Sequence, residues 1–330
     1  MCARWRRYPR ERRCGSSVPE AVAPATAAPG ALRIAPEVAA ALAEGRPIVA
    51  LETAILTHGL PRPDNLETAL GMEEVVRSRG AVPATIGIVR GRPCIGLTPA
   101  ELEILAEAED ARKCSTRDLA LLVARGGCGG TTVAASLYLA VRAGIRILAT
   151  GGIGGVHRGG EVSLDISADL HELGRSPGLV VCSGAKAILD LPRTMEVLET
   201  LSVAVVGYRT DRLPAFYVER SEIAVPRIDT VADLAGLYRA QQALGWPGSL
   251  VVARPPPAAF ALDAATFEAL LARCRRRATA EGIRGAAETP YLLACLAELS
   301  QGRTIALNRA LVLANAGLAA ELAVTTCRTG

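Results

Sequence analysis

Short apolar runs alternate with helix signals along most of this 330-residue chain, and that alternation constrains the fold more than any other feature. Ile48-Val49-Ala50-Leu51, Val180-Val181-Cys182, Ala204-Val205-Val206 and Leu250-Val251-Val252 are too short for helices. They are also continuously apolar, as strands covered on both faces are. Residues 84–89 and 94–97, joined by Arg90-Gly91, predict a hairpin. Asp64 stands where it would cap a helix running to Gly80. Thr98-Pro99-Ala100-Glu101 supplies a cap, a first-turn proline and a third-position glutamate. A helix over 131–143 leads into a strand over 145–150, and helices over 263–281, 290–299 and 304–324 close the chain. The alternation predicts an α/β fold, a three-layer helix–sheet–helix sandwich around a mixed, largely parallel sheet. Functional groups are then expected on the loops beyond the strand ends.

Residues 1–32 do not share this pattern. They are basic, then rich in Ala, Pro and Ser, with no periodic apolar face, and predict a disordered extension ahead of a single domain over 33–330. The extension lacks the apolar stretch of a secretory signal. Its arginines suit a mitochondrial transit peptide, but Glu11 and Glu20 argue against one. A cytoplasmic location is therefore the expectation, with mitochondria as the alternative. No apolar run approaches the roughly 20 residues that cross a bilayer, so no membrane is expected. Much of the net charge of +4 lies in the first fourteen residues, which leaves the remainder without the electrostatic footprint of a nucleic-acid partner. The nine cysteines show no C-x-x-C spacing and predict reduced thiols.

Among 37 basic residues only Lys113 and Lys186 are lysine. Arginine never sheds its proton in a protein, whereas a neutral lysine amine attacks carbonyls. The two lysines are thus candidates for chemistry arginine cannot perform, against the alternative of chance survival. Lys186 follows the apolar run Val180-Val181-Cys182 and the turn Ser183-Gly184-Ala185. Loss of solvation at a strand end would lower its pKa and free the amine.

Three further segments carry candidate chemistry. Glu52 ends the first apolar run, where a carboxylate either shuttles a proton with a raised pKa or caps nearby amides. Thr150 to Gly160 contains six glycines, with His157 and Arg158. It reads either as a phosphate cradle with Arg158 as a fork of donors, or as a merely tight loop. Asp165-Ile166-Ser167-Ala168-Asp169 places two carboxylates on one face if helical, offering oxygen ligands to Mg²⁺ or Mn²⁺, or else a capped helix start.

Together these segments resemble the pseudouridine-5′-phosphate glycosidase family, which includes the indigoidine synthase A-like proteins. The matching stretches are ALETAILTHGLPRPDN from Ala50, KCSTRDL from Lys113, GGTTVAAS from Gly129, ATGGIGGVHRGGE from Ala149, LDISADL from Leu164 and VVCSGAKAILDLPRTMEVLE from Val180. VVGYRTDRLPAFY from Val205, TPYLLACLAELSQG from Thr289 and the segment around Asn308 continue them in order. The resemblance implies cleavage of pseudouridine 5′-phosphate to uracil and ribose 5-phosphate, reversibly. It assigns Lys186 as the nucleophile that forms an imine with C1′, Glu52 as proton donor, and Asp165 as ligand of a manganese ion, with Mg²⁺ or another divalent metal as the alternative. Lys113, Val133, Ser167, Ala168, Asp169 and Asn308 are implied to contact substrate. A homotrimer and a separate pseudouridine kinase supplying substrate are implied as well.

The residue chemistry is compatible. A C-glycoside has no nitrogen or oxygen leaving group, so the two-carboxylate glycosidase template suits it poorly. A lysine imine makes C1′ an electron sink, and an acid can protonate the departing carbon. Some positions depart from the family pattern: Arg254 stands where a small amide is usual, Gly285-Ala286 where a lysine is usual, and Ala314, Gly160 and Cys128 also differ. Arg254 and Ala286 keep open a catalytically impaired nucleotide-binding member, and a related sugar-phosphate lyase is the alternative enzyme.

Overall fold

A computed structural model describes residues 32–283 and 288–327. Nearly all of the expected N-terminal extension, and the Gly285-Ala286 position, lie outside the described residues. The α/β expectation is met by one large sheet. Its strands run in the order Arg33–Ile34, Arg92–Ile95, Val82–Val89, Ile48–Leu51, Ile147–Ala149, Leu179–Cys182, Leu250–Ala253, Ala204–Tyr208, Arg227–Ile228. Arg112–Cys114 and Gly129–Thr131 extend it beside Val82–Val89. Pairing is parallel except where Val82–Val89 meets the hairpin partner Arg92–Ile95 and the strand Gly129–Thr131. Every residue of Ile48–Leu51, Leu179–Cys182 and Leu250–Ala253 is buried, because helices cover both faces, and this is why those runs carry no polar alternation.

The order of these strands matters for function. From Ile48–Leu51 the chain steps outward to Val82–Val89 on one side, and later returns to lay Ile147–Ala149 on the other. The chain leaves the two neighbouring strands in opposite directions, which makes their carboxyl ends, at Glu52 and Thr150, the sheet's switch point. Ligands of open α/β sheets bind at such switch points.

Two helices pack beside that point. Val133–Arg142 is capped by the Thr132 side chain, and Arg303–Cys327 packs against the three strands Ile48–Leu51, Ile147–Ala149 and Leu179–Cys182. The latter corrects the expectation that no apolar stretch reaches membrane-spanning length. Its 25 residues, with mean hydropathy 1.6 over the most apolar window, are long and apolar enough by length and composition. It is apolar nearly all round because sheet and helices surround it, the state of a helix at the centre of a core.

Two local expectations are corrected. Asp64 begins the helix Asp64–Ser78 without capping it; its carboxylate instead pairs with Arg309 across to the C-terminal helix. The all-reduced reading of the cysteines fails at Cys274 and Cys295, which form a disulfide with Cα atoms 5.7 Å apart. That bridge joins the helices Ala264–Ala280 and Glu288–Leu299. A separation of 21 residues gave no pairing signal, because only the helix-to-helix packing brings the two together. The capping box at Thr98 and Glu101 forms as expected.

Candidate active site

At the carboxyl end of Ile48–Leu51, Glu52 is buried and its two oxygens accept from the Ile55 amide and the Thr150 hydroxyl, each at 3.2 Å. Burial raises its pKa, and the nearby Lys186 charge pulls the other way. A raised pKa favours the protonated form that a general acid needs. The Ile55 amide and the Thr150 hydroxyl orient the carboxyl.

Lys186 reaches the same point from the next strand but one. After Leu179–Cys182 the chain turns through Gly184 at φ +83°, where a Cβ would stand 2.0 Å from the Pro214 carbonyl oxygen. Only glycine fits that turn. The Lys186 amide then donates to Ile153 O at 3.0 Å, fixing the start of its side chain. Glu52, Lys113, Lys186, Gly151, Gly152, Phe216, His58 and Asn308 together line a throat of about 40 Å³. The two rare lysines thus share one small space. The Lys113 pKa falls to about 8, chiefly through burial and then through the Lys186 charge.

The throat opens into a polar cleft of about 340 Å³, lined by Lys113, Arg117, Thr132, His157, Asp165, Ser167, Ala168 and Asp169 among others. Here the two aspartates have separate tasks. The helix begins only at Ala168, with Ser167 as its cap, so Asp165 precedes it and the expectation of a shared helical face is corrected. Asp169 is buried and accepts from the amides of Ala134 and Gly154, both at 2.8 Å. It therefore clamps the glycine loop to the helix Val133–Arg142. Asp165 is partly exposed, 4.0 Å from His157 Nδ1. His157, Asp165 and Glu288 place donor atoms within 4.8 Å of one another. An imidazole and two carboxylates form a donor set suited to Mn²⁺ or Mg²⁺.

The glycine loop is a packing device. A Cβ at Gly154 would meet Ser167 Oγ at 2.1 Å, and one at Gly152 would meet the Phe216 ring at 2.6 Å. The amides of Gly154, Ile153 and Val156 donate to Asp169, Gly184 O and Thr194 Oγ1. Arg158, expected to face an anion, instead forks onto Glu268 at 2.7 and 3.0 Å. The loop is tightly packed, and its Gly151 and Gly152 line the throat.

Most implied substrate residues converge: Lys113, Ser167, Ala168, Asp169 and Asn308 line the throat or the polar cleft. Val133 does not line them; it is buried at the start of its helix, one position beyond Thr132. Asn308 is buried, with an Oδ1 that has no hydrogen-bond partner among the described residues, an acceptor left for a ligand. Arg254 lines neither space; its amide donates to Cys182 O and burial lowers its pKa.

Three site residues escaped the sequence reading. His58 lies in the π-helical turn Ile55–Gly59, a form frequent at functional sites, and lines both throat and cleft. Burial and Lys113 lower its pKa. Its position six residues after Glu52 was the available signal. Phe216 lies within the family-like stretch from Val205 and Glu288 directly precedes the one from Thr289, but neither residue type pointed to a role.

Comparison with known proteins matches residues 37–325 to the family described as indigoidine synthase A like protein. A Methylobacterium nodulans protein named pseudouridine-5′-phosphate glycosidase is 54% identical over 294 residues, 89% of this chain and 87% of that protein. One of the same name from Herpetosiphon aurantiacus is 51% identical, covering 89% and 97%. The crystal structure of the prealnumycin C-glycosynthase AlnA in complex with ribulose 5-phosphate superimposes with a TM-score of 0.83 at 42% identity, covering 90% of this chain and 97% of that one. An indigoidine synthase A-like protein from Thermotoga maritima gives 0.84 at 35% identity, covering 92% and 99%.

Proposed function

The chain belongs to the indigoidine synthase A-like family, and from that premise we propose that it is a pseudouridine-5′-phosphate glycosidase, releasing uracil and ribose 5-phosphate in a reversible reaction. The observation that carries this reading is the presence of Glu52 and Lys186 in one narrow throat at the sheet's switch point. Relatives near 50% identity carry that name, and a structural neighbour binds ribulose 5-phosphate, a sugar phosphate of the same size as the product.

In this mechanism the C1′–O4′ bond breaks as the Lys186 amine bonds to C1′, and the proton lost by the amine goes to O4′, which becomes a hydroxyl. Breaking the carbon–carbon bond leaves the electron pair on the base carbon, which takes the proton held by Glu52. The remaining C1′ imine is hydrolysed, freeing ribose 5-phosphate and the amine. Asn308 offers its unpaired oxygen to a donor on the base, and Lys113 supplies positive charge toward the phosphate-bearing sugar. Asp165, His157 and Glu288 would hold the divalent metal, Mn²⁺ by resemblance, whose contribution is to neutralise and orient substrate oxygens. A trimeric assembly, a cytoplasmic location and a separate kinase that makes the phosphorylated nucleoside complete the proposal.

The test is uracil release from pseudouridine 5′-phosphate, followed by chromatography with Mn²⁺ and with chelator. Release that is abolished by Lys186→Arg supports the reading. Tight substrate binding without uracil in either condition would favour the impaired, nucleotide-binding alternative.

A further inference from the structure

His58 has no part in the steps set out above, yet it stands at the junction of the site. Among the described residues, only His58 and Pro290 border the throat, the polar cleft and an adjoining cavity of about 550 Å³. The π-helical turn Ile55–Gly59 carries the ring there. Thr57 fixes its orientation. The Thr57 hydroxyl donates its hydrogen to Thr53 O at 3.2 Å, so its oxygen, 2.6 Å from His58 Nδ1, is left to accept. Nδ1 therefore carries the ring hydrogen, and Nε2 carries a lone pair. The same hydroxyl is wedged against the strand Gly129–Thr131, where a Cβ at Gly130 would stand 2.1 Å from it. Among the described residues the ring forms no second side-chain hydrogen bond. Burial, and then the Lys113 charge, lower its pKa and favour the neutral ring.

The proposed reaction has a step that calls for such a group. Once uracil has left, Glu52 has given up its proton and C1′ is bound to Lys186 as a protonated imine. A space of about 40 Å³ admits water, which needs roughly 10–15 Å³. Hydrolysis then requires two proton movements, one to the lysine nitrogen and one back to Glu52. The Glu52 oxygens already accept from the Ile55 amide and the Thr150 hydroxyl.

We propose that His58 is a further catalytic residue, the base whose Nε2 takes the proton of the water that hydrolyses the Lys186 imine. This rests on the reading of the site as an imine-forming C-glycosidase. The water oxygen bonds to C1′, the C=N pair moves to nitrogen, and the water proton goes to Nε2. The imidazolium passes that proton to the nitrogen. The C1′–N bond then breaks with its pair on nitrogen, the oxygen forms the aldehyde C=O, and its proton passes through Nε2 to the Glu52 carboxylate. Neutral amine, neutral imidazole and protonated Glu52 are restored, and ribose 5-phosphate is free.

The experiment mixes full-length protein and Mn²⁺ with excess pseudouridine 5′-phosphate, quenches at short times and counts uracil per site. Borohydride added during steady turnover reads the share of Lys186 held as adduct. His58→Ala and His58→Gln are compared with the wild type. Both variants should release a first equivalent of uracil as a burst, then turn over roughly 10²-fold more slowly, the scale of a lost general base. The Lys186 adduct should accumulate, and added imidazole should restore part of the His58→Ala turnover. The burst also shows that the variant folds. Steady turnover within about twofold of wild type in both variants would overturn the inference and leave the proposed function standing. So would slow turnover with Lys186 largely free of adduct, or loss of the burst in both variants, since hydrolysis would then not be the step that His58 serves. Wild-type protein that releases no uracil would overturn the proposed function and the inference together.

Discussion

Lys113 and Lys186 are the two lysines of the chain, and they divide a task that no arginine can share. In the proposed mechanism Lys186 forms the bond to carbon and Lys113 supplies charge, and the burial of Lys113 has a cost in stability. Its folded pKa of about 8 lies below the ordinary 10.5, so between these values the unfolded chain binds more protons than the folded one. Stability therefore rises with pH across that window, and the full cost is present below pH 8. Lys113→Met in metal-free protein should raise the melting temperature at pH 7, with the gain vanishing by about pH 10.5, while cleavage falls. A melting temperature that drops at pH 7 would refute this. Glu52→Gln should keep the fold, since an amide is at least as content in that buried place, and lower the cleavage rate by about 10²- to 10⁴-fold. Steady-state kinetics beside a thermal melt separates the two effects.

The elements that aim these side chains are held by a few buried contacts. Asn315 of the C-terminal helix donates to Thr150 O at 2.9 Å and to Ser183 Oγ at 3.1 Å, tying together the loops that follow two neighbouring strands. Asn315→Ala leaves both acceptors buried and should cost about 1–3 kcal/mol in denaturant unfolding. Gly184→Ala drives a methyl into the Pro214 carbonyl at a left-handed position; it should cost at least about 3 kcal/mol and misdirect Lys186. At this scale the sequence was legible where the signal was local. Strands such as Ile48–Leu51 and Leu179–Cys182, and the Thr98 cap, showed in runs of a few residues. What stayed hidden depends on distant partners: Arg158 turning to Glu268, Asp64 to Arg309, Cys274 to Cys295, and Glu288 joining His157 and Asp165. The composition of each segment was correctly read, but a side chain's partner is chosen by packing.

At the scale of the molecule, strand order does the organising. The reversal beside Ile48–Leu51 brings Glu52, Thr150 and Lys186 together from positions 52 to 186. No local pattern specifies that reversal; Lys113, Lys186, Glu52 and the two aspartates stood out by residue chemistry, while Val133, Ser167, Ala168 and Asn308 were reached only through the family resemblance. The same resemblance implies three copies. Light scattering should give the mass of three chains, and a monomer at assay concentration would remove assembly from the account.

The central claim is that the Lys186 amine bonds to C1′, and borohydride trapping reads that bond directly. With pseudouridine 5′-phosphate and reductant, the tryptic peptide carrying Lys186 should gain the mass of a reduced ribose-phosphate adduct, and Lys186→Arg should carry none. Turnover of the substrate with that peptide unmodified, or with the label on Lys113, would contradict the account.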